Sequence, residues 1–179
     1  MLVILSAWLE KHMNRKRLFI LFAAYAAILA VMSFVLIPAI CANTGGMKIF
    51  DLKLWSYGMD YAVAFKNAMG NRGRDVYLQA QLPLDMIYPL VYGLMYIALA
   101  NKIYNKINLP IFLIVTILCL SDYTENILSY IILIPDNIST AVVSAASVFT
   151  DIKTVFLCFT WAALAFCWVC RMLKNKIRS

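Results

Sequence analysis

The residues best suited to chemistry lie within a long apolar stretch, between Ser121 and Asn126. At the helical period of about 100° per residue, Asp122, Glu125 and Asn126 share one face, and the two carboxylates are neighbours on it. A charge at mid-membrane depth costs roughly 3 kcal/mol or more, so such groups should face protein rather than lipid. Carboxylates in this setting can relay a proton, bind a cation or act as a general acid or base.

A second polar stripe lies on the preceding apolar stretch. Asp85, Tyr88 and Tyr92 recur at helical spacing, and Tyr96 continues the line. These four side chains fall within an arc of about 80°. Three hydroxyls and a carboxylate are therefore aligned where a partner can form hydrogen bonds with them. Pro89 removes one backbone hydrogen bond beside Tyr88, so we expect the helix to open there.

A cation for the acidic groups is predicted near the start of the last apolar stretch. Asp151 and Lys153 are two residues apart, so on a helix they point about 160° away from each other. We expect Lys153 to face the acids, because a buried acidic cluster without a cation is unstable. Asp151 is then solvated at the helix start, where the helix dipole favours it. The candidate intramembrane polar site comprises Asp85, Tyr88, Tyr92, Asp122, Glu125, Asn126 and Lys153.

Two arginines, Arg72 and Arg74, lie on a glycine-rich turn just before the second apolar stretch. Their position predicts a place near the mouth of the cavity. Forked hydrogen bonds from arginine can hold a phosphate or a carboxylate there. The alternative is that they pair with Asp75, with Asp85 or with lipid headgroups.

The elements that must position these residues are transmembrane helices. The chain has 179 residues, of which 64% are hydrophobic and only 14% charged, and its mean hydropathy is +0.80. Soluble domains are roughly 45–50% apolar and 25% charged. A soluble core of this size cannot cover so much apolar surface, because a domain of this length buries only about 70% of its unfolded-chain area. The composition therefore indicates a membrane protein.

Four apolar stretches are long enough to cross a bilayer, which takes about 20 helical residues. They cover roughly residues 18–41, 84–104, 109–134 and 148–172. Backbone polar groups in lipid must be satisfied within each segment, so each stretch should be a helix. The sequence predicts an all-α transmembrane four-helix bundle forming one domain over residues 1–179. An external segment, residues 42–83, should contain a short helix over residues 56–69 that ends at Gly70.

Basic residues set the expected orientation, because Lys and Arg collect in short cytoplasmic flanks. They precede the first stretch, lie between the second and third, and follow the fourth, so both termini should be cytoplasmic. The net charge of +7 then faces anionic lipid headgroups. We therefore expect membrane lipids as partners and no nucleic acid. A second copy of the chain or another membrane protein remains an open alternative as a further partner.

Several of these residues also form a spaced pattern. It consists of Phe50-Asp51-Leu52, Tyr57-Gly58, Gly73-Arg74, Tyr77, Gln81, Leu84-Asp85, Tyr88-Pro89, Tyr92, Asp122-Tyr123, Glu125-Asn126 and Lys153. In this pattern the chain resembles a family of uncharacterised small four-span bacterial integral membrane proteins, over roughly residues 50–153. The resemblance implies an integral protein of the bacterial inner (plasma) membrane. It brings no known activity with it.

Three functions fit these observations. The first is binding or handling of a lipid or small molecule in an outward-facing site, with Asp122 or Glu125 taking up a proton or cation. The second is an enzyme that uses a carboxylate on a lipid-linked substrate, with a divalent metal on Asp122, Glu125 and Asp85. The third is an accessory subunit whose polar face meets a partner helix. A purely structural network that fixes helix register is the competing interpretation. The sequence favours the first, because the cavity should have both aromatic and charged walls.

Overall fold

The computed structural model describes residues 2–55, 57–104, 109–135 and 137–178, with side chains as far as residue 173. Across these ranges the chain is helical and contains no strand. The predicted all-α class is confirmed.

The described residues form six α-helices in sequence order. Their bounds are α1 Leu2–His12, α2 Arg15–Asn43, α3 Met59–Val76, α4 Leu82–Tyr104, α5 Leu109–Leu133 and α6 Thr140–Arg178. A 3₁₀ helix, Phe50–Leu52, lies between α2 and α3. A π-helical turn, Tyr77–Gln81, joins α3 to α4 without a break.

Four helical segments are long and apolar enough to cross a membrane, as the hydropathy pattern predicted. They are Arg15–Asn43, Met59–Tyr104, Leu109–Leu133 and Thr140–Leu173. Large apolar side chains on the outer faces are exposed, for example Phe34 on α2 (80%) and Phe166 on α6 (69%). A water-soluble surface rarely carries so many exposed apolar groups, and they are what a lipid-facing surface requires.

Helix α6 packs along α5, and α4 packs on both α5 and α2. Two apolar cores result. One joins the 3₁₀ helix and α3 to the facing ends of α5 and α6, with Phe50 and Phe65 fully buried. The other joins α4, α5 and the later part of α6 around Tyr96 and Leu118. Along each helix, Asp85 of α4, Asp122 and Glu125 of α5 and Lys153 of α6 lie between the residues of these two cores.

Both π-helical turns precede a proline. In α2 the turn Met32–Leu36 comes two residues before Pro38, and the turn Tyr77–Gln81 comes two residues before Pro83. A proline ring lacks the N–H group and clashes with the carbonyl four residues earlier, so an ordinary α-helix cannot continue past it unchanged. The wider π turn accommodates this. The two turns also pack against each other.

The segment between α2 and α4 is more helical than predicted. The short helix expected over residues 56–69 begins at Met59, and α3 continues past Gly70 to Val76. Gly70 interrupts it with φ 58, a left-handed conformation that glycine adopts without strain. A glycine at this position predicts a helix end, but tertiary packing lets a helix start again at once. Helix α6 likewise begins at Thr140, ahead of residue 148, where the fourth apolar stretch is predicted to start.

Gly73 is a close contact between α3 and the end of α2. A Cβ atom there would lie 2.5 Å from Cγ of Met69 and 3.1 Å from Cβ of Asn43. We expect Gly73→Ala to lower the free energy of unfolding by about 1–3 kcal/mol, as overpacking does. Thermal unfolding in mild detergent measures this. Gly58→Ala is the control, since no atom lies within 4 Å of its Cβ position. Equal melting temperatures for the two variants would contradict the prediction.

Candidate functional site

Lys153 of α6 is the centre of a cluster of acidic residues. Its Nζ lies 2.7 Å from Oδ1 of Asp51 and 3.4 Å from Oδ1 of Asp122, and it also pairs with Oε2 of Glu125. The lysine side chain is 14% exposed and that of Glu125 is fully buried. Charges this far from water are stable only when they are paired in good geometry. Lys153 therefore ties the 3₁₀ helix, α5 and α6 together.

Glu125 lies behind the lysine. The hydroxyl of Thr150 donates a hydrogen bond to its Oε1 at 2.6 Å. Thr150 is on α6, less than one helical turn before Lys153. The same helix therefore supplies both partners of this carboxylate, which is not among the groups lining the cavity described below.

Asp122 of α5 and Asp85 of α4 face each other between the two helices, with one carboxylate oxygen of each within 4.8 Å of the other. The hydroxyl of Tyr92 donates to Oδ2 of Asp122 at 2.8 Å. Asn126 donates from Nδ2 to the backbone carbonyl of Asp85 at 3.2 Å, which fixes α4 against α5. Asp85 is only 4% exposed. Its carboxylate has no salt bridge or hydrogen bond within the ranges that the structure describes.

Asp51 reaches the cluster because the segment carrying it is attached to α6. The backbone N–H of Trp55 donates to Oδ1 of Asp151 at 3.0 Å, and that of Tyr57 donates to Oγ of Ser147 at 2.9 Å. Trp55 has φ 64, which is uncommon for a bulky residue and is maintained only by its surroundings. Asp151 thus points away from the cluster, but it is half-buried and bonded rather than solvated at the helix start.

Tyr57 belongs to the same segment, outside the membrane spans. Burial, and to a smaller extent the charge of Glu125, raise the pKa of its hydroxyl well above the usual value. Its ring stacks on Phe50 with the centroids 5.1 Å apart, so Tyr57 serves the packing that holds Asp51 in place.

A cavity of about 280 Å³ adjoins the cluster. Its polar lining includes Asp51, Gln81, Asp85, Tyr88, Tyr92, Asp122 and Lys153. Apolar residues from α2, from residues 49–54 around the 3₁₀ helix, and from α5 and α6 complete the wall. Four of these are partly exposed at its edge: Leu29 (39%), Leu52 (46%), Leu54 (42%) and Leu157 (37%). The cavity therefore combines a charged floor with an apolar rim.

Most of the sequence-predicted residues come together here, but not all of them line the cavity. Glu125 and Asn126 lie behind its wall, and neither Arg72 nor Arg74 is part of the lining. The two arginines belong to α3 rather than to an open turn. Arg72 is exposed, and Arg74 is half-buried. The predicted place of the arginines at the mouth does not correspond to the structure.

Asp51 and Gln81 line the cavity but are not among the predicted site residues. Both belong to the spaced pattern quoted above, but helical periodicity does not place a residue of an irregular segment such as the one that carries Asp51. The metal triad expected from sequence also changes. One oxygen each from Asp51, Asp85 and Asp122 lies within 4.8 Å of the other two, whereas Glu125 is not part of this group and does not line the cavity.

Fold and site together define a class: a multi-pass helical membrane protein with a carboxylate–lysine cluster beside a cavity. No protein-family model, no curated protein and no solved structure matches this chain.

Proposed function

We propose that this protein binds a lipid or another amphiphilic small molecule in the cavity. The observation that carries the proposal is the union of a charged floor, with Asp85, Asp122 and Lys153, and an exposed apolar rim in one space. A polar head group can bond to the floor while its apolar chain leaves past Leu29 and Leu157. A few placed polar groups in an otherwise apolar pocket are typical of small-molecule sites.

The expected orientation is part of the proposal. We infer that both termini are cytoplasmic and that the cavity opens on the opposite side of a plasma membrane, the inner membrane of a bacterium. One structural observation supports this arrangement. Arg15, Lys102 and Arg171 from three different helices line one shared pocket at the end of the bundle away from the cluster. A basic end of this kind favours the cytoplasmic, anionic leaflet.

Bound lipid can be measured directly by native mass spectrometry of protein purified in mild detergent. We expect the wild type to retain an amphiphile, and Leu157→Trp, which narrows the rim, to lower its occupancy about tenfold without a change in melting temperature. Phe159→Trp is the matched control, because Phe159 lies on the same helix, is 56% exposed and does not line the cavity.

Two results would contradict the proposal. One is equal occupancy in the wild type and Leu157→Trp. The other is a wild type that carries no amphiphile even after total lipid extract is added. A second protein that co-purifies in place of a lipid would favour an accessory subunit instead.

A further inference from the structure

Three carboxylates from three separate elements converge at the cavity floor. Asp51 comes from the 3₁₀ helix, Asp85 from α4 and Asp122 from α5. One oxygen of each lies within 4.8 Å of the other two. Oxygens on opposite sides of a Ca²⁺ ion are about 4.6–5.2 Å apart, and those around Mg²⁺ lie closer, up to about 4.2 Å. The spacing suits ligands of a single ion.

The charge balance of the cluster points the same way. Lys153 pairs with Asp51, Asp122 and Glu125. No cation pairs with Asp85 within the described part of the chain. Three carboxylates therefore share one ammonium group and a fourth, that of Asp85, has none, in a region of low dielectric where unbalanced charge is costly. A divalent cation beside Asp85 would remove most of the imbalance.

Gln81 supplies an independent observation. Its side chain is 1% exposed and lines the same cavity. Neither its oxygen nor its nitrogen has a hydrogen-bond partner among the described residues. A buried polar group without a hydrogen-bond partner is costly, so a carboxamide in this position indicates that its partner comes from outside the chain. An amide oxygen is a ligand that Ca²⁺ and Mg²⁺ accept.

We propose that Asp51, Asp85 and Asp122 bind one hard divalent cation, with Gln81 as a neutral oxygen donor facing it. An all-oxygen set selects Mg²⁺, Ca²⁺ or Mn²⁺ rather than Zn²⁺ or Cu²⁺. The remaining coordination positions face the cavity, where an anionic head group such as a phosphate can reach the ion. This last step rests on the proposed function, whereas the cation site itself does not.

The test uses Mn²⁺ alone, followed by electron paramagnetic resonance in non-ionic detergent after treatment with a chelator. We expect one Mn²⁺ per wild-type chain, displaced by Mg²⁺ or Ca²⁺. Asp85→Asn should weaken binding at least about tenfold while the melting temperature without metal stays the same or rises, because this carboxylate has no partner to lose. Asp75→Asn is the control, since Asp75 is an exposed acid of α3.

Gln81→Leu is the second variant and keeps the proposal testable if Asp85→Asn fails to fold. It should weaken Mn²⁺ binding as well. A wild type that binds no Mn²⁺, or folded variants that bind it as tightly as the wild type, would overturn the cation site. Lipid occupancy measured on the same samples separates the two proposals. Lipid without Mn²⁺ refutes only the cation site, and Mn²⁺ without lipid refutes only the proposed function.

Discussion

The variant Lys153→Met is expected to lose roughly 3–5 kcal/mol of unfolding free energy, the usual cost of removing one partner from a buried ion pair. The ammonium group is the only cation in contact with Asp51, Asp122 and Glu125 within the described residues. Without it, these carboxylates repel one another in a region with little water to screen them. Thermal unfolding in mild detergent, followed by tryptophan fluorescence, measures the loss.

Two further variants test the cause of that loss. Lys11→Met removes an exposed lysine of α1 and should leave the melting temperature unchanged. Adding Glu125→Gln to Lys153→Met should recover part of the stability, because one of the unpaired charges is then gone and the two substitutions are coupled. If Lys153→Met had the same melting temperature as the wild type, the ion pairs would contribute nothing to the stability of the fold, and the cluster would need another explanation.

Phe50→Ala is the second change with a large expected effect, again about 3–5 kcal/mol of unfolding free energy. Phe50 is fully buried, and its ring centroid lies 5.1 Å from that of Tyr57 and 4.9 Å from that of Phe65. Its removal leaves a cavity beneath the short helix that carries Asp51. Chemical or thermal unfolding measures the stability, and the Mn²⁺ titration reports whether Asp51 is still held in place.

The matched control for this change is Phe34→Ala. Phe34 is 80% exposed on the outer face of α2, where lipid or detergent replaces the lost contacts. It should therefore cost far less than Phe50→Ala. Similar losses of unfolding free energy for the two variants would show that apolar contacts do not anchor the 3₁₀ helix. The hydrogen bonds from Trp55 and Tyr57 to α6 would then be the main attachment of this region.

Helical periodicity was sufficient to predict much of the site. On α4, α5 and α6 a fixed angle per residue places Asp85, Asp122 and Lys153 on inward faces, and the requirement to pair buried charge selects Lys153 over Asp151. Helical periodicity gives the direction in which a side chain points but not its distance from the cavity. It could not separate Asp122, which lines the cavity, from Glu125, which lies behind it.

The residues that the sequence missed or misplaced lie in segments that were not predicted to be helical, so helical periodicity gave no information on them. Asp51 is positioned by backbone hydrogen bonds from Trp55 and Tyr57 to α6, and such contacts between distant parts of the chain leave no local signal. Arg72 and Arg74 follow Gly70, a residue type that predicts a helix end. In the structure the helix restarts after Gly70 and includes both arginines, and neither lines the cavity.

The π turn at Tyr77–Gln81 contains one residue more than an α-helical path of the same rise needs. That extra residue sets the angular phase between α3 and α4. If the same residues formed an unbroken α-helix instead, everything on one side of the turn would be rotated by about 100° relative to the other. With α3 still packed as it is, Asp85 and Tyr92 would turn away from α5. The chemistry of the cavity thus depends on how the backbone is wound at this turn as much as on which side chains are present.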